Sequence, residues 1–445
     1  MKLFARPKCL TEAIAPVITL NRLVGLRAFE YPPGQPRPIL SLIYLLLLYF
    51  LYCIYLLIFL KIEYSLKTRV ILQLLLYSIL EYVNITFVSI KLLLGWWHSK
   101  KFEACYKKLS EIDETLRQLG AVVNYDRMYF TIIGVIIIWF IFNFSVCIMM
   151  NLIILNGLDP YLFVTIAVRS NLMTIDAIVI FELYIFIKCL EMRFDLINRL
   201  LREHLAMSFL VKEVKLGFFE LQDYAKIMNV EQRRLFPIKI LSQWCRQVQS
   251  HFPSYFQKQF QEKHRNRSQK HNFVKTKCQK RKYLLQIIKQ VHLELCKVSK
   301  TVCTIFGVQT ACEIGMIIIF LTEYFYSLYI RYYKKQELAD LIAMLSFLQI
   351  LLNFFKITFL SRVCKHATDK GTKTMEIIYS IHGYDKESDV KEEIQQFGIQ
   401  ILQSRLKFSA FGIPLDNVLT MILKVITTYL IIMIQMNNSL EKMLF

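Results

Sequence analysis

FGIQILQSRLKFSAFGIPLDNVLTMILKVITTYLIIMIQM, from Phe397 to Met436, is the stretch that decides the fold. Its second half, from residue 415 to residue 436, is apolar apart from a few polar side chains. A helix needs about 20 mainly apolar residues to cross a bilayer, so this half predicts a membrane span. The first half has apolar residues at helical spacing and leads directly into that span.

Six further stretches toward the amino terminus satisfy the same criterion. The chain of 445 residues is 55% hydrophobic and has a mean hydropathy of +0.39, well above ordinary globular usage. We therefore expect an all-α membrane protein with seven transmembrane helices. The predicted spans are residues 39–60, 70–94, 129–155, 164–187, 304–330, 339–360 and 415–436.

The basic residues are distributed unevenly between the two sides of the predicted spans. The formal net charge is +21. The segments on the side of the amino terminus contain 20 Lys and Arg, even without the long segment 188–303, and the opposite side contains 7. Cytoplasmic loops are enriched in Lys and Arg, so we expect the amino terminus inside and the carboxyl terminus outside. The positive charge is thus attributed to cytoplasmic loops, and we expect no nucleic-acid partner.

The cytoplasmic segments show the amphipathic spacing of helices that extend the spans below the membrane. We expect these extensions to form an anchor bundle; helices lying flat on the headgroups are the alternative. The segment 250–282 has ten basic residues and one acid, and predicts a disordered loop, solvated or in contact with anionic membrane lipid. The predicted organisation is a cytoplasmic amino-terminal segment at 1–38, spans one to four within 39–187, helix extensions and the basic loop within 188–303, spans five and six within 304–360, anchor helices at 361–414, the seventh span at 415–436 and an extracellular tail at 437–445.

The eleven cysteines and eight histidines form no pattern that indicates chemistry. No Cys-x-x-Cys pair and no Cys/His group at metal-ligand spacing occurs, and no nucleophile stands beside a base in a catalytic motif. We therefore expect no metal, no cofactor and no enzymatic activity.

Seven spans first suggest a G-protein-coupled receptor, but the expected orientation is inverted relative to that class. The pair Asp126 and Arg127 precedes the third span, whereas the receptor Asp-Arg motif follows it. We interpret the pair as a solvated helix terminus.

The carboxyl-terminal stretch resembles the signature of the insect gustatory receptors. That signature consists of a Phe-x-x-Gln helix, a Phe-x-Ala-x-Gly turn, a Leu-Asp pair and a final Thr-Tyr followed by five apolar residues and Gln-Phe. One departure is Met436 in place of the closing Phe, which keeps the bulk of the side chain and makes it more flexible. The matching residues are Phe397, Gln400, Phe408, Ala410, Gly412, Leu415, Asp416, Thr428, Tyr429 and Gln435.

The resemblance implies a non-selective cation channel in the plasma membrane, opened by a small tastant. It implies a homotetramer, or a heterotetramer with related receptors, in which the seventh span lines the pore. A metabotropic receptor and a secondary transporter are the alternative functions. The expected pore and gate residues are Thr428, Ile431, Ile432, Gln435 and Met436, although Gln435 alternatively caps the helix, and the expected assembly residues are Phe397, Gln400, Leu402 and Phe408.

Polar residues within the other spans are the candidates for ligand contact. Lipid penalises them, so we expect them to face the interior of the bundle. A structural ion pair, such as Arg169 with Glu81 or Asp176, is an alternative for each of them. Leu430 after the Thr-Tyr pair disfavours the sugar-binding subgroup, and the ligand otherwise stays open. The candidates are Glu81, Trp139, Asn143, Arg169, Asp176, Glu323, Tyr324 and Gln349.

The charge asymmetry predicts which terminus is accessible on intact cells. An epitope placed after Phe445 is expected to be labelled without permeabilisation, and an epitope at Met1 only after it. Immunofluorescence of the two tagged chains measures this. The reverse pattern would contradict the expected orientation and favour the metabotropic alternative.

Overall fold

A computed structural model describes residues 6–30, 37–65, 71–155, 162–203, 262–333, 340–382 and 388–444. These residues are almost entirely helical, with one short β-hairpin. The helices are α1 (Leu10–Leu23), α2 (Pro38–Ser65), α3 (Ile71–Trp97), α4 (Ser99–Gln118), α5 (Tyr125–Leu155), α6 (Leu162–Leu201), α7 (Glu262–Tyr333), α8 (Asp340–His382), α9 (Ser388–Gln403) and α10 (Val418–Leu444), and the strands are β1 (Ser409–Ala410) and β2 (Ile413–Pro414).

The seven predicted spans fall on α2, α3, α5, α6, α7, α8 and α10. Among the described residues, α2, α3, α5, α7 and α10 are long and apolar enough to cross a membrane by length and composition. Three charged side chains, Arg169, Asp176 and Glu182, interrupt the apolar sequence of the predicted span 164–187, which lies on α6. The side chains of residues 340–346 and 349 in α8 lie outside the described ones.

The described residues fall into two compact units. The larger is formed by residues within 1–196, 292–374 and 402–445, and the smaller by residues within 197–291 and 375–401. In the smaller unit, Lys289 donates from Nζ to Glu393 Oε2 at 2.8 Å, and Gln286 donates to Glu393 Oε1 at 2.7 Å. Burial acts to raise the pKa of Glu393, but these two hydrogen bonds and the charge of Lys289 outweigh it and lower that pKa.

Two helices in the larger unit lie outside the predicted spans. α1 packs against α4 and α5, and its residues Leu10, Ala13 and Ile14 are fully buried. Their spacing is that of one helix face, although Pro16 interrupts the pattern. The amino-terminal segment, expected only to be cytoplasmic, thus contributes a core helix. α4 likewise buries Phe102, Leu109 and Leu116.

α6 carries a series of charged side chains that pair with residues of other segments in the larger unit. Arg169 donates from Nη2 to Glu81 of α3 at 3.1 Å, which is one of the structural pairs that the sequence suggested. Asp176 accepts from Lys91, also of α3, at 2.5 Å. Buried charges destabilise a protein unless they are paired, so these contacts fix which face of α6 meets which neighbour. Further along α6, Glu182 pairs with Arg27, Arg193 with Asp113 of α4, and Asp195 with Lys370 of α8.

The Glu182 contact connects the segment after α1 to the bundle. The Arg27 guanidinium lies 4.3 Å from the centroid of the Phe102 ring, and Tyr106 donates from its hydroxyl to Glu182 Oε1 at 3.2 Å. Burial and the negative charge of Glu182 raise the pKa of Tyr106 well above its usual value. The Tyr106 phenol therefore stays protonated and keeps donating.

The β-hairpin ahead of α10 explains part of the sequence signature. Phe411 and Gly412 form its two-residue turn with φ angles of 50° and 80°, the left-handed region that a type I′ turn requires. Phe408 and Ala410 are buried beside it, and the Leu415 amide donates to the Phe408 carbonyl at 3.1 Å.

The structure corrects one expectation and confirms another. α7 begins at Glu262, so the described part of the basic segment 250–282 is helical where a disordered loop was predicted. Lys, Arg, Gln and Glu are good helix formers, which favours extension of the amphipathic helix that follows. Asp126 lies in the first turn of α5, where Asn124 Oδ1 accepts from its amide at 3.0 Å, as expected for a helix terminus.

Removing one partner of the Arg193–Asp113 pair is expected to destabilise the protein strongly. The two side chains are 1% and 7% exposed, so Arg193→Met leaves a buried carboxylate unpaired, which costs about 3–5 kcal/mol. The double variant with Asp113→Asn removes that charge and keeps an acceptor for Tyr125, and should recover at least half of the loss. Thermal unfolding in detergent is the measurement.

Arg117→Met, at an exposed pair with Glu114, serves as the control and should cost under about 0.5 kcal/mol. Equal effects at both sites would contradict the paired-charge argument.

Gly412→Ala is expected to lower the stability because alanine is strained at a φ of 80°, by about 1–2 kcal/mol. Gly134→Ala in α5 is the matched control, since a Cβ at either glycine meets no atom within 4 Å. The control should be neutral or slightly stabilising, because alanine favours helices. The same thermal measurement compares them, and similar melting temperatures would exclude the turn strain.

Candidate functional site

One face of α10 is exposed in the chain although the helix is a predicted membrane span. Val418, Ile422 and Ile426 form the buried face. On the opposite side lies a set of residues that fall within about 60° of one line, at about 100° per residue. We call this set the α10 stripe, and its members, all exposed, are Thr420, Lys424, Thr427, Thr428, Ile431 and Gln435.

The expected pore residues Thr428, Ile431 and Gln435 belong to this stripe, and Ile432 and Met436 lie beside it. Ile431, Ile432 and Met436 are 51%, 43% and 50% exposed. The Thr428 hydroxyl donates to the Lys424 carbonyl at 3.0 Å, within its own helix. The polar groups that the stripe offers to its surroundings are therefore chiefly the Lys424 ammonium and the Gln435 amide.

A buried cluster of four charges joins α3, α6, α7 and α8. Lys91 is fully buried, and its Nζ lies 2.5 Å from both Asp176 Oδ1 and Glu313 Oε2. Lys356 Nζ lies 3.5 Å from Glu313 Oε1. Two ammonium groups and two carboxylates balance, which is the condition for keeping charges away from water. We call these four residues the charge cluster.

Trp139 lies at the side of the charge cluster that faces α5. Lys356 Nζ is 5.9 Å from the centroid of its ring, within the range of a cation–π contact. Among the described residues, Trp139 Nε1 and Asn353 Nδ2 are buried N–H groups without a hydrogen-bond acceptor. Asn353 lies three residues before Lys356, on the same face of α8. A buried donor without an acceptor is costly, so each of these N–H groups favours a polar group that can accept from it.

The remaining ligand candidates are engaged in contacts within the bundle. Arg169 donates to Glu81, as above, and from Nε to the Tyr55 hydroxyl at 3.0 Å. Asn143 donates to Ser170 Oγ at 2.8 Å, which connects α5 with α6. These internal contacts are enough to explain why the three residues are buried, with no ligand needed. A role of the three residues in ligand binding stays a prediction.

Glu323 and Tyr324, two further ligand candidates, make contacts within α7. Glu323 Oε1 accepts from Ser327, four residues later on α7, at 2.8 Å. The Tyr324 ring stacks on Phe320 with centroids 6.1 Å apart. The side chain of Gln349 lies outside the described residues.

The expected assembly residues differ in exposure. Phe397 and Phe408 are buried in the chain, and Gln400 donates from Nε2 to the Lys289 carbonyl at 2.9 Å. These three residues therefore take part in packing within one chain. Leu402 is 41% exposed, and its role in assembly stays a prediction.

The sequence did not single out Lys91 or Arg27, and Asn353 was noted only for its helical spacing with Gln349 and Lys356 in the sixth predicted span. Lys91 is near one end of its predicted span, where a lysine usually extends its ammonium group to the membrane surface. The spacing of Asn353 and Lys356 with Gln349 did indicate a polar face of α8. The sequence pattern did not indicate which other helices this polar face of α8 contacts.

Comparisons with known proteins identify the family and a similar fold. A family model described as 7tm Chemosensory receptor matches residues 14–225 and 240–437. A Drosophila melanogaster protein whose name describes it as a candidate gustatory receptor, gustatory receptor 28b, is 26% identical over 163 residues. The match covers 35% of this chain and 35% of that protein. The chain thus matches about a third of the length of that relative.

The solved structure of the insect olfactory receptor OR5 from Machilis hrabei in complex with eugenol has a similar fold. The TM-score is 0.55 at 13% sequence identity, over 96% of this chain and 98% of that one. At this identity the similarity is one of fold. Because the family model covers well over half of the chain, the protein belongs to the insect chemosensory receptor family of multi-pass membrane proteins, which are receptors and not enzymes.

Proposed function

We propose that the protein is a tastant-gated, non-selective cation channel of the plasma membrane. The observation that supports this most directly is the α10 stripe. A lysine at the centre of a bilayer costs about 2.5–3.5 kcal/mol on insertion scales, so the stripe is expected to face water or protein. Four copies around one axis, as a homotetramer or with related receptors, bring four such stripes together around an aqueous path.

The gate in this proposal lies at the end of the stripe that contains Ile431 and Gln435. Four Gln435 amides form a narrow polar ring, and the neighbouring Ile431 side chains form a hydrophobic constriction that closes by excluding water. Met436 lies next to this ring, and Ile432 and Thr428 flank it on the same helix.

The ligand in this proposal contacts Trp139, Asn353 and Lys356. A small molecule with acceptor oxygens satisfies the indole and amide N–H groups, and a flat face packs on the Trp139 ring. Lys356 also contacts Glu313 of the charge cluster. A ligand that alters the Lys356 position therefore acts on α7 and α8 together, and it opens the channel to the extent that it binds the open state more tightly.

Two other functions have less support. A metabotropic receptor requires the orientation opposite to the one that the charges predict. A secondary transporter is expected to have spans broken into half-helices around its substrate. The described parts of the seven predicted spans are continuous helices, which lends that alternative no support.

Gate and ligand variants are expected to have separate phenotypes. Gln435→Ala acts four times around the axis, so about 0.5 kcal/mol per subunit amounts to about 2 kcal/mol, or about thirtyfold in the opening equilibrium. It should change the basal current or the ion permeability ratios. Trp139→Ala should shift the dose response to tastants and leave the permeability ratios alone. Whole-cell currents in cells without coupled G proteins, recorded against a tastant panel, measure both.

Matched controls are Gln403→Ala and Trp97→Ala, at exposed residues outside the proposed gate and ligand site. Both should behave as the unmodified chain at equal surface expression. If Gln435→Ala shifted only the dose response, the pore-facing assignment of the α10 stripe would be wrong.

A further inference from the structure

Lys424 lies at the centre of the α10 stripe. At about 100° per residue, Ile431 and Gln435 lie within about 20° of it on either side. Gln435 is eleven residues further along, about 16 Å at 1.5 Å per residue. The side chain is exposed, on the side of α10 opposite to the buried Ile422 and Ile426.

No acid neutralises Lys424 within the part of the chain that the structure describes. The ion pairs of the described residues do not include it, whereas Lys91 and Lys356 in the charge cluster are both paired. Asp416 is the nearest acid in the sequence, eight residues earlier, and its Oδ1 is buried away from solvent. Lys424 therefore contributes a full positive charge to the surface of the stripe.

We propose that the four Lys424 ammonium groups form a positive ring in the conduction path, which makes the channel select against divalent cations. This inference rests on the proposed function, because it requires α10 to line the pore. It adds a residue that determines ion selectivity, at a place separate from the Gln435 gate.

The physical reason is the charge of the permeating ion. Coulomb repulsion is proportional to that charge, so a ring that slows Na⁺ by a given factor slows Ca²⁺ by about the square of it. The ratio of Ca²⁺ to Na⁺ permeability then falls by that same factor. Dissolved salt limits the reach of the ring's electric field to about 8 Å at physiological ionic strength and to about 30 Å at 0.01 M. The selectivity against Ca²⁺ is thus expected to increase as the salt concentration falls.

The test measures reversal potentials of the purified protein in planar phosphatidylcholine bilayers, with CaCl₂ on one side and NaCl on the other. Gln435→Ala, which is expected to change basal opening, provides a second background for the same measurement. Lys424→Gln should raise the relative Ca²⁺ permeability at least about threefold, and more in dilute salt. Lys424→Arg keeps the charge and should leave it unchanged. Lys365→Gln, which removes an exposed lysine of α8 outside the stripe, is the matched control and should also leave it unchanged.

A relative Ca²⁺ permeability that rises by less than about threefold in Lys424→Gln would overturn the inference. If that variant fails to fold, Lys424→Cys is modified in the bilayer with a cationic or an anionic methanethiosulfonate reagent. The cationic reagent should lower the relative Ca²⁺ permeability and the anionic one should raise it, and equal effects would also overturn the inference.

Ile431→Cys separates this failure from failure of the proposed function. If a cationic thiol reagent blocks Ile431→Cys while Lys424→Gln has unchanged selectivity, α10 lines the pore and only the Lys424 ring is wrong. If Ile431→Cys is not blocked, or the bilayers stay silent in both backgrounds, the pore assignment on which the ring rests is wrong.

Discussion

The pairing of buried charges on α6 is the constraint on which the arrangement of the larger unit depends. A helix bearing Arg169, Asp176 and Glu182 has charges within its predicted span, and such charges are costly in lipid and in a protein interior. Each is matched by a charge from another segment, so α6 is fixed both along and about its axis. Through Asp176 and Lys91 the same constraint extends to Glu313 of α7, and through Glu313 to α8.

α10 follows a different principle. Its buried face is apolar, and the hairpin at Phe411 and Gly412 precedes it with a tightly defined backbone. The Ser361 hydroxyl of α8 donates to the Asp416 carbonyl at 2.6 Å, which holds the start of the helix. The bundle interior thus neutralises its charges by pairing, whereas the α10 stripe retains Lys424 as an exposed charge. This division distinguishes the residues that hold the helices together from those that the proposed conduction path uses.

Much of the fold could be predicted from the sequence, because hydrophobic length is a local property. The seven spans and the helical extension of span four along α6 follow from apolar runs and helical spacing, and the turn at Gly412 follows from the family signature. α1 was missed because Pro16 and a short polar-flanked pattern hide its buried face. The partners of the charged residues could not be predicted, since any of several acids could reach Lys91. The helical start of α7 was missed because highly charged sequence has weak apolar periodicity, while its helix propensity is high.

The paired charges of α6 also affect how such a sequence can change over generations. Replacing either Arg193 or Asp113 alone passes through a form with an unmatched buried charge, so the two positions are constrained to change together or to stay as they are. Exposed apolar residues of α2 and α5, such as Leu57 and Ile138, carry no such linkage and can exchange with other apolar residues at little cost. A chain built in this way can lose most of its sequence identity while retaining its helix arrangement. Substitutions at linked positions are therefore better compared as pairs than one at a time.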